Sequence, residues 1–203
     1  EISLGLVGSE MCIRDRSWYQ SATFFTGNRL TVGFDYQHFG GESWNKVLAT
    51  GEHTPGVDKQ MDEFAGYVDF RQDISSWFSL DAGIRVDHHS HVGTEWIPQG
   101  GLAFHLPKNA ELKAMVSKGY RNPTIREMYM FPPANPELKP EKLINYELSY
   151  SQRLLEGVLS YGISLYYING DNLIMSNGLF PPLNINSGEI ENWGVETNIR
   201  YHI

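Results

Sequence analysis

The chain is almost without cysteine: Cys12 is the only one among 203 residues, and no disulfide or thiol chemistry follows from it. Long apolar runs are also missing. No stretch of eighteen apolar residues occurs, which excludes a membrane-crossing helix. A crossing by strands stays open, because a strand needs only about ten residues of alternating hydrophobicity. Long helix-forming windows are few, whereas aromatics make up 13% and glycine contributes 20 residues, a composition that favours strands and turns. Positive charge is not in excess. The net charge of −8 argues against a nucleic-acid partner, which calls for a basic footprint. Catalytic signatures are lacking too. The sequence holds no nucleophile elbow, no phosphate-binding loop and no zinc-protease helix, so it is not read as an enzyme and no cofactor is expected.

Residues 1–16 are set apart. Leu6–Asp15 back-translates codon by codon into a transposase-type sequencing-library adapter, with Glu1, Ile2 and Gly5 fitting its flanks. The expectation is a translated adapter scar over 1–16, excluded from fold reasoning. The sole cysteine falls inside it. So do three acids and two arginines, a net −1, which leaves the rest of the chain at −8 less −1, or −7.

What remains alternates. Arg29–His38 places Leu30, Val32, Phe34 and Tyr36 on one face, and Thr31, Gly33, Asp35 and Gln37 on the other. Successive strand side chains point to opposite faces, so this is a strand with one apolar and one polar side. The same pattern recurs in Trp77–Asp87, Leu143–Arg153, Leu159–Tyr167 and Trp193–Ile203, and more weakly over 17–25, 63–73, 96–106 and 110–119. About nine strands are expected.

The connections alternate as well. Short turns fall near Thr26–Asn28, Ile74–Ser76, Pro107–Asn109 and Leu155–Gly157. Between them lie longer links at Gly40–Met61, His88–Glu95, Arg121–Lys142 and Ser176–Asn184. An up-and-down antiparallel sheet would then carry its short turns at one end and its long loops at the other. Outer-membrane barrels are built this way. Trp77, Trp96, Tyr120 and Trp193 sit at strand ends, where an interfacial aromatic girdle belongs. A soluble β-rich module with the same alternation is the competing reading.

On this frame the run Ser117-Lys-Gly-Tyr-Arg-Asn-Pro-Thr-Ile-Arg-Glu-Met-Tyr129, followed by Asn135-Pro-Glu-Leu-Lys-Pro-Glu141, falls between two strands. Together with Ala82-Gly-Ile-Arg-Val-Asp87 and Asn186-Ser-Gly-Glu-Ile-Glu-Asn-Trp-Gly-Val-Glu196, it resembles the barrel of TonB-dependent outer-membrane receptors. The resemblance covers residues 17–203. It implies an all-β fold, part of a 22-stranded antiparallel transmembrane barrel in the outer membrane of a Gram-negative bacterium. It implies energy-coupled uptake of a ferric siderophore, haem or cobalamin. The implied partners are outer-membrane lipid, an N-terminal plug domain, a TonB-type coupling protein and the metal-chelate or cobalamin-like ligand. With no plug sequence before residue 17 and about nine strands, the chain is expected to be an internal barrel piece. An outer-membrane barrel enzyme is the alternative in a different class.

Candidate site residues follow from chemistry. Arg121 and Arg126 offer guanidinium forks for an anionic chelate, and Tyr120, Tyr129 and Met130 offer contact surface; local packing of the loop is the competing role. The prolines Pro123, Pro132, Pro133, Pro136 and Pro140 stiffen the loop. His88, His89 and His91 are weak metal candidates against a reading as solvated loop histidines. Asp81, Arg85, Glu147, Glu196 and Arg200 are expected to face the lumen and the plug.

Overall fold

A computed structural model describes residues 5–47, 50–130 and 133–202, the side chains from residue 9 onward. Glu1–Leu4, Pro132 and Ile203 lie outside the described residues. The chain forms one nine-stranded sheet in which each strand pairs antiparallel with its neighbour in sequence. The strands are β1 (Gly5–Ala22), β2 (Asn28–Val47), β3 (His53–Ser75), β4 (Phe78–His89), β5 (Gly93–Leu106), β6 (Ala110–Arg121), β7 (Glu141–Leu154), β8 (Leu159–Ser176) and β9 (Asn184–Tyr201). All nine expected strands are present, and the four short turns lie where the turn residues put them.

Two of the four long links are corrected. The expected loop Gly40–Met61 is mostly ladder, since β2 and β3 stay paired from Phe39↔Met61 out to Lys46↔His53. Pairing satisfies backbone groups that a loop would leave to water, so the hairpin continues beyond β4, whose pairing with β3 ends at Glu63↔His89, while β1 accompanies β2 to Val47. The link at His88–Glu95 is only a tight turn over 90–92. Residues 122–140 do form a long connection, with one helical turn at Arg126–Met130, and 177–183 a shorter one.

The register sorts the two faces. Leu30, Val32, Phe34 and Tyr36 of β2 line up with Phe70, Val68, Gly66 and Phe64 of β3. Further along the sheet, Tyr146 and Leu148 of β7 meet Tyr167 and Leu165 of β8, which meet Trp193 and Val195 of β9. This face is uncovered: Phe34, Val68, Ile84, Leu148, Ile163 and Leu165 are 41–46% exposed. A water-facing sheet hides such a surface, whereas lipid solvates it. Aromatics gather at both ends. Trp77, Phe78 and Phe104 cluster with centroids 5.1–6.3 Å apart at the short-turn end. Tyr36 and Phe64, at 4.9 Å, and Tyr146 and Tyr167, at 6.2 Å, lie toward the other. From Phe78 to Val86 the apolar ladder of β4 runs about 27 Å, or about 21 Å along the membrane normal at a tilt of about 40°. That approaches the apolar band of a barrel.

The opposite face carries Asp81, Arg85 and Glu147, as expected, with Glu196 and Arg200 exposed on the same side of β9, and Asp35 and Asp69 join them. Two of its glycines have a visible job. Tyr67 lies over Gly33, its register partner, so close that a Cβ would sit 2.2 Å from the ring; Tyr166 covers Gly194 in the same way at 2.4 Å. The rings fill what the glycines leave open.

A clasped loop and the chamber beneath it

The site is built by a failure of pairing. β5 and β6 stay paired only from Leu106↔Ala110 to Gln99↔Ser117. The next residue on β5 is Pro98, which has no N–H to give, and the ladder stops there. β6 continues with β7 alone, up to Arg121↔Glu141. Its freed end turns its even-numbered side chains inward. The Lys118 ammonium reaches Glu95 at 3.0 Å, joined there by that of Lys142 at 2.5 Å, and the Tyr120 hydroxyl donates to Glu63 of β3 at 2.9 Å. Tyr120 therefore does not belong to the outer girdle. Its position at a strand end suggested that place, and the loss of the β5 partner released it.

The chain then folds back over the polar face. Thr124-Ile-Arg-Glu127 is a capping box. Glu127 accepts from the Thr124 N–H at 2.8 Å and hydroxyl at 2.9 Å, while the Glu127 N–H donates to Thr124 Oγ1 at 3.2 Å. Arg121 closes the clasp. Its Nη1 and Nη2 donate to Glu127 at 2.9 and 3.0 Å, and its Nε donates to Glu141 at 2.7 Å. Burial alone would raise the Glu127 carboxyl. The Arg121 fork and the Thr124 donors outweigh it and hold the group below its ordinary range. Glu141 also accepts from the Ile174 N–H at 2.8 Å, so one arginine ties β6, the helical turn, β7 and β8 together.

The loop's apolar side provides the seat. Met61, Ile125, Met128 and Leu138 form the buried cluster, with Phe39, Val57, Tyr129, Met130 and Ile174 packed around it. Met128 is wholly buried. Gly41 makes the approach possible: a Cβ there would meet Ile125 at 3.1 Å and Met130 at 3.0 Å. Pro123 and Pro140 are buried within the loop. Polar ties hold its far side, where Asn135 Nδ2 donates to the Asn184 carbonyl and Asn184 Nδ2 to the Glu127 carbonyl, at 2.8 and 3.0 Å.

The sequence candidates therefore separate. Arg121 spends its fork on the clasp, Met130 packs in the seat and Tyr120 points inward. Arg126 lies exposed on the helical turn. Tyr129 sits at the surface between two polar neighbours: its hydroxyl lies 3.2 Å from His91 Nε2, and Lys59 Nζ lies 5.2 Å from its ring centroid. His91 Nε2 is 2.7 Å from the Pro136 carbonyl, so that nitrogen carries the proton. The three histidines diverge. His88 meets Thr94 on the outer face, His89 is buried on the inner face with Nδ1 accepting from the His91 N–H, and His91 turns to the loop. Neighbours on a strand face opposite ways, so His88 and His89 cannot share an ion. Among the described residues no group of three or more His, Cys, Asp or Glu is placed to hold one. Sequence reasoning missed Glu127, whose capping box was legible as T-x-x-E, and the acids Asp35, Glu63 and Asp87, which only the register brings together.

Comparison with known proteins fits this architecture. The family model for the TonB dependent receptor-like β-barrel matches residues 7–202. The chain is 27% identical over 186 residues to the vitamin B12 transporter BtuB of Photobacterium profundum, covering 86% of this chain and 30% of that protein. It is 28% identical over 154 residues to the iron-regulated outer membrane virulence protein of Vibrio cholerae, covering 70% and 22%. Among solved structures, the siderophore receptor PirA from Pseudomonas aeruginosa superimposes with a TM-score of 0.74 at 16% identity, over 94% of this chain and 37% of that one. The chain thus spans less than a third of the length of these two curated relatives. The open antiparallel wall, apolar outside and polar inside, and the match over nearly its whole length place the chain in the TonB-dependent receptor β-barrel family, whose members are receptors and transporters of the Gram-negative outer membrane and not enzymes.

Proposed function

We propose that this chain forms part of the wall of a receptor that takes up a large, scarce nutrient, a ferric siderophore, haem or cobalamin, by energy coupling. The observation that carries the reading is the clasped loop 122–140. It lies at the end of the sheet opposite the short turns, the outer end of such barrels, and is locked over the polar face by Arg121, Glu127 and Glu141. A pre-ordered loop binds with little ordering cost. Arg126 and Tyr129 are the proposed ligand contacts, with Lys59 and His91 beside the tyrosine. Tyr120, Arg121 and Met130 serve the site by holding the loop. The polar face, with Asp81, Arg85, Glu147, Glu196 and Arg200, is proposed to meet the plug domain, the apolar face the outer-membrane lipid, and a TonB-type protein to supply the energy.

Deleting the gene, and restoring it, under iron limitation and under cobalamin limitation tests the reading. Loss of uptake of one labelled nutrient, ferric siderophore, haem or cyanocobalamin, is expected. Uptake of all three unchanged would overturn it.

Residues 1–16 are proposed to be an adapter scar. Beyond the codons, the phase of β1 supports this. The register sets Arg16 beside Tyr36 on the apolar face and Met11 and Ile13 on the polar one, the reverse of the pattern in β2 to β9. Sequencing the locus from an independent library decides it; the same codons upstream of Ser17 would sink the idea.

A further inference from the structure

Beneath the clasped loop lies a cavity of about 480 Å³, closed on one side by Met11 and Ile13 of β1; its polar wall, Glu63, Arg85, Asp87, Tyr120 and Asn122, roofed by Pro123 and Ile125, owes nothing to β1. The register explains its chemistry. Asp35, Ala65 and Asp87 stand in one row across β2, β3 and β4, and Gln37 and Glu63 in the next. Ala65 contributes only a methyl, so acids crowd round an opening. Three carboxylates, Asp35, Glu63 and Asp87, face one guanidinium. Arg85 pairs with Asp35 and donates to Asp87 Oδ2 at 2.8 Å. The balance is two negative charges, and the one on Asp87 is almost wholly removed from water, which is unfavourable unless something compensates.

Two oxygens mark where compensation is missing. Asp87 is 3% exposed, and its Oδ1 is buried with no hydrogen-bond partner in the protein. The Oδ1 of Asn122 is in the same condition. Two neighbouring donors are already spent on Glu63, while the buried Nε2 of His89, the register partner of Glu63, has no partner of its own. Tyr120 has one proton and gives it to Glu63 at 2.9 Å, and Asn122 Nδ2 donates to the same Glu63 oxygen at 3.3 Å. Turning the Asn122 amide would set its oxygen against that carboxylate, so its carbonyl stays the unpaired end. A proton shared between Glu63 and Asp87 would remove one charge and satisfy one oxygen, leaving a net charge and the Asn122 carbonyl unmet. A divalent cation meets both charges and both oxygens. Carboxylates, an amide carbonyl and water are the ligands a hard cation takes.

We propose that this chamber binds one oxygen-ligated divalent cation of the calcium–magnesium class, held by Asp87, Glu63 and the Asn122 carbonyl, with water completing its shell. The ion pins Asn122, the first residue of the loop, to β3 and β4. The inference stands on the chamber alone and does not depend on which nutrient the receptor carries.

The test uses the full-length receptor, purified in detergent and stripped with a chelator. Calcium and magnesium binding are measured by calorimetry, and terbium by luminescence excited through tyrosine. Wild type should bind one equivalent more than Asp87→Asn, and Glu63→Gln should bind at that site about tenfold or more weakly, because affinity follows ligand charge. Heat-modifiable migration confirms that each variant is folded. Should Asp87→Asn not fold, Glu63→Gln with Asn122→Ala carries the comparison. Equal stoichiometry and affinity for all three ions in wild type and the folded variants would overturn the proposal. So would a chamber whose only response is to pH, which would assign it a shared proton.

Discussion

Arg121 shows how one residue changes meaning with its surroundings. A guanidinium on a loop of a receptor invites a role in holding an anion, but here its fork is filled by Glu127 and Glu141. Replacing Glu127 with Gln removes the bidentate acceptor and weakens the Thr124 cap. The loop's closed form should lose about 1–2 kcal/mol, at the low end because Arg121 is 45% exposed and water screens the pair. Hydrogen exchange over 122–140 in the full-length receptor should rise accordingly, while exchange in β8 changes little. The clasp also sets a pH dependence. The folded Glu127 carboxyl is held below its unfolded value of about 4.3 by the Arg121 and Thr124 donors, so its contribution is complete above that value. It is lost as pH falls through the lowered folded value. A spin label on the loop should therefore gain mobility as the pH falls below the ordinary carboxylate range, and Glu127→Gln should shrink that step to the part that belongs to Glu141, also held low by Arg121.

The loop and its seat act as one element. Met128 is wholly buried among Met61, Ile125 and Leu138 although it lies on a connection between strands. Met128→Ala leaves a cavity there, and about 2–4 kcal/mol of docking energy should go. The expected result is protease nicking within 122–140 with the barrel itself intact; a resistant loop would show that the clasp holds without its seat. Gly41→Val tests the same contact from β2, because its side chain would press on Ile125 and Met130. Much of this element was readable beforehand. Its length, its prolines and its T-x-x-E box are local features. What the sequence could not show is where the loop lies down, since Gly41 and Met61 are far away in the chain and belonged to a link read as irregular. Nor could alternation alone predict that Pro98 would release β6 and turn Tyr120 inward.

At the scale of the whole molecule, two faces of one sheet answer to two solvents. Ile84→Arg puts a charge on the lipid face near the middle of its apolar ladder and should cost about 2–4 kcal/mol of barrel stability in the full-length receptor. Asp81→Asn on the other face of the same strand should cost far less. Urea titration of the barrel in vesicles, followed by heat-modifiable migration, compares them; equal losses would contradict the assignment of faces. By itself the sequence determined the strands, their number, their two faces and the family. Each of these rests on short-range pattern: a period of two, turn residues, and motifs read in place. The tertiary structure alone decided the extended β2–β3 hairpin, the divergence of the three histidines, the clasp on Arg121 and the acid chamber under the loop. These depend on register, which couples residues tens of positions apart, and a shift of a single residue would turn every side chain concerned to the other face.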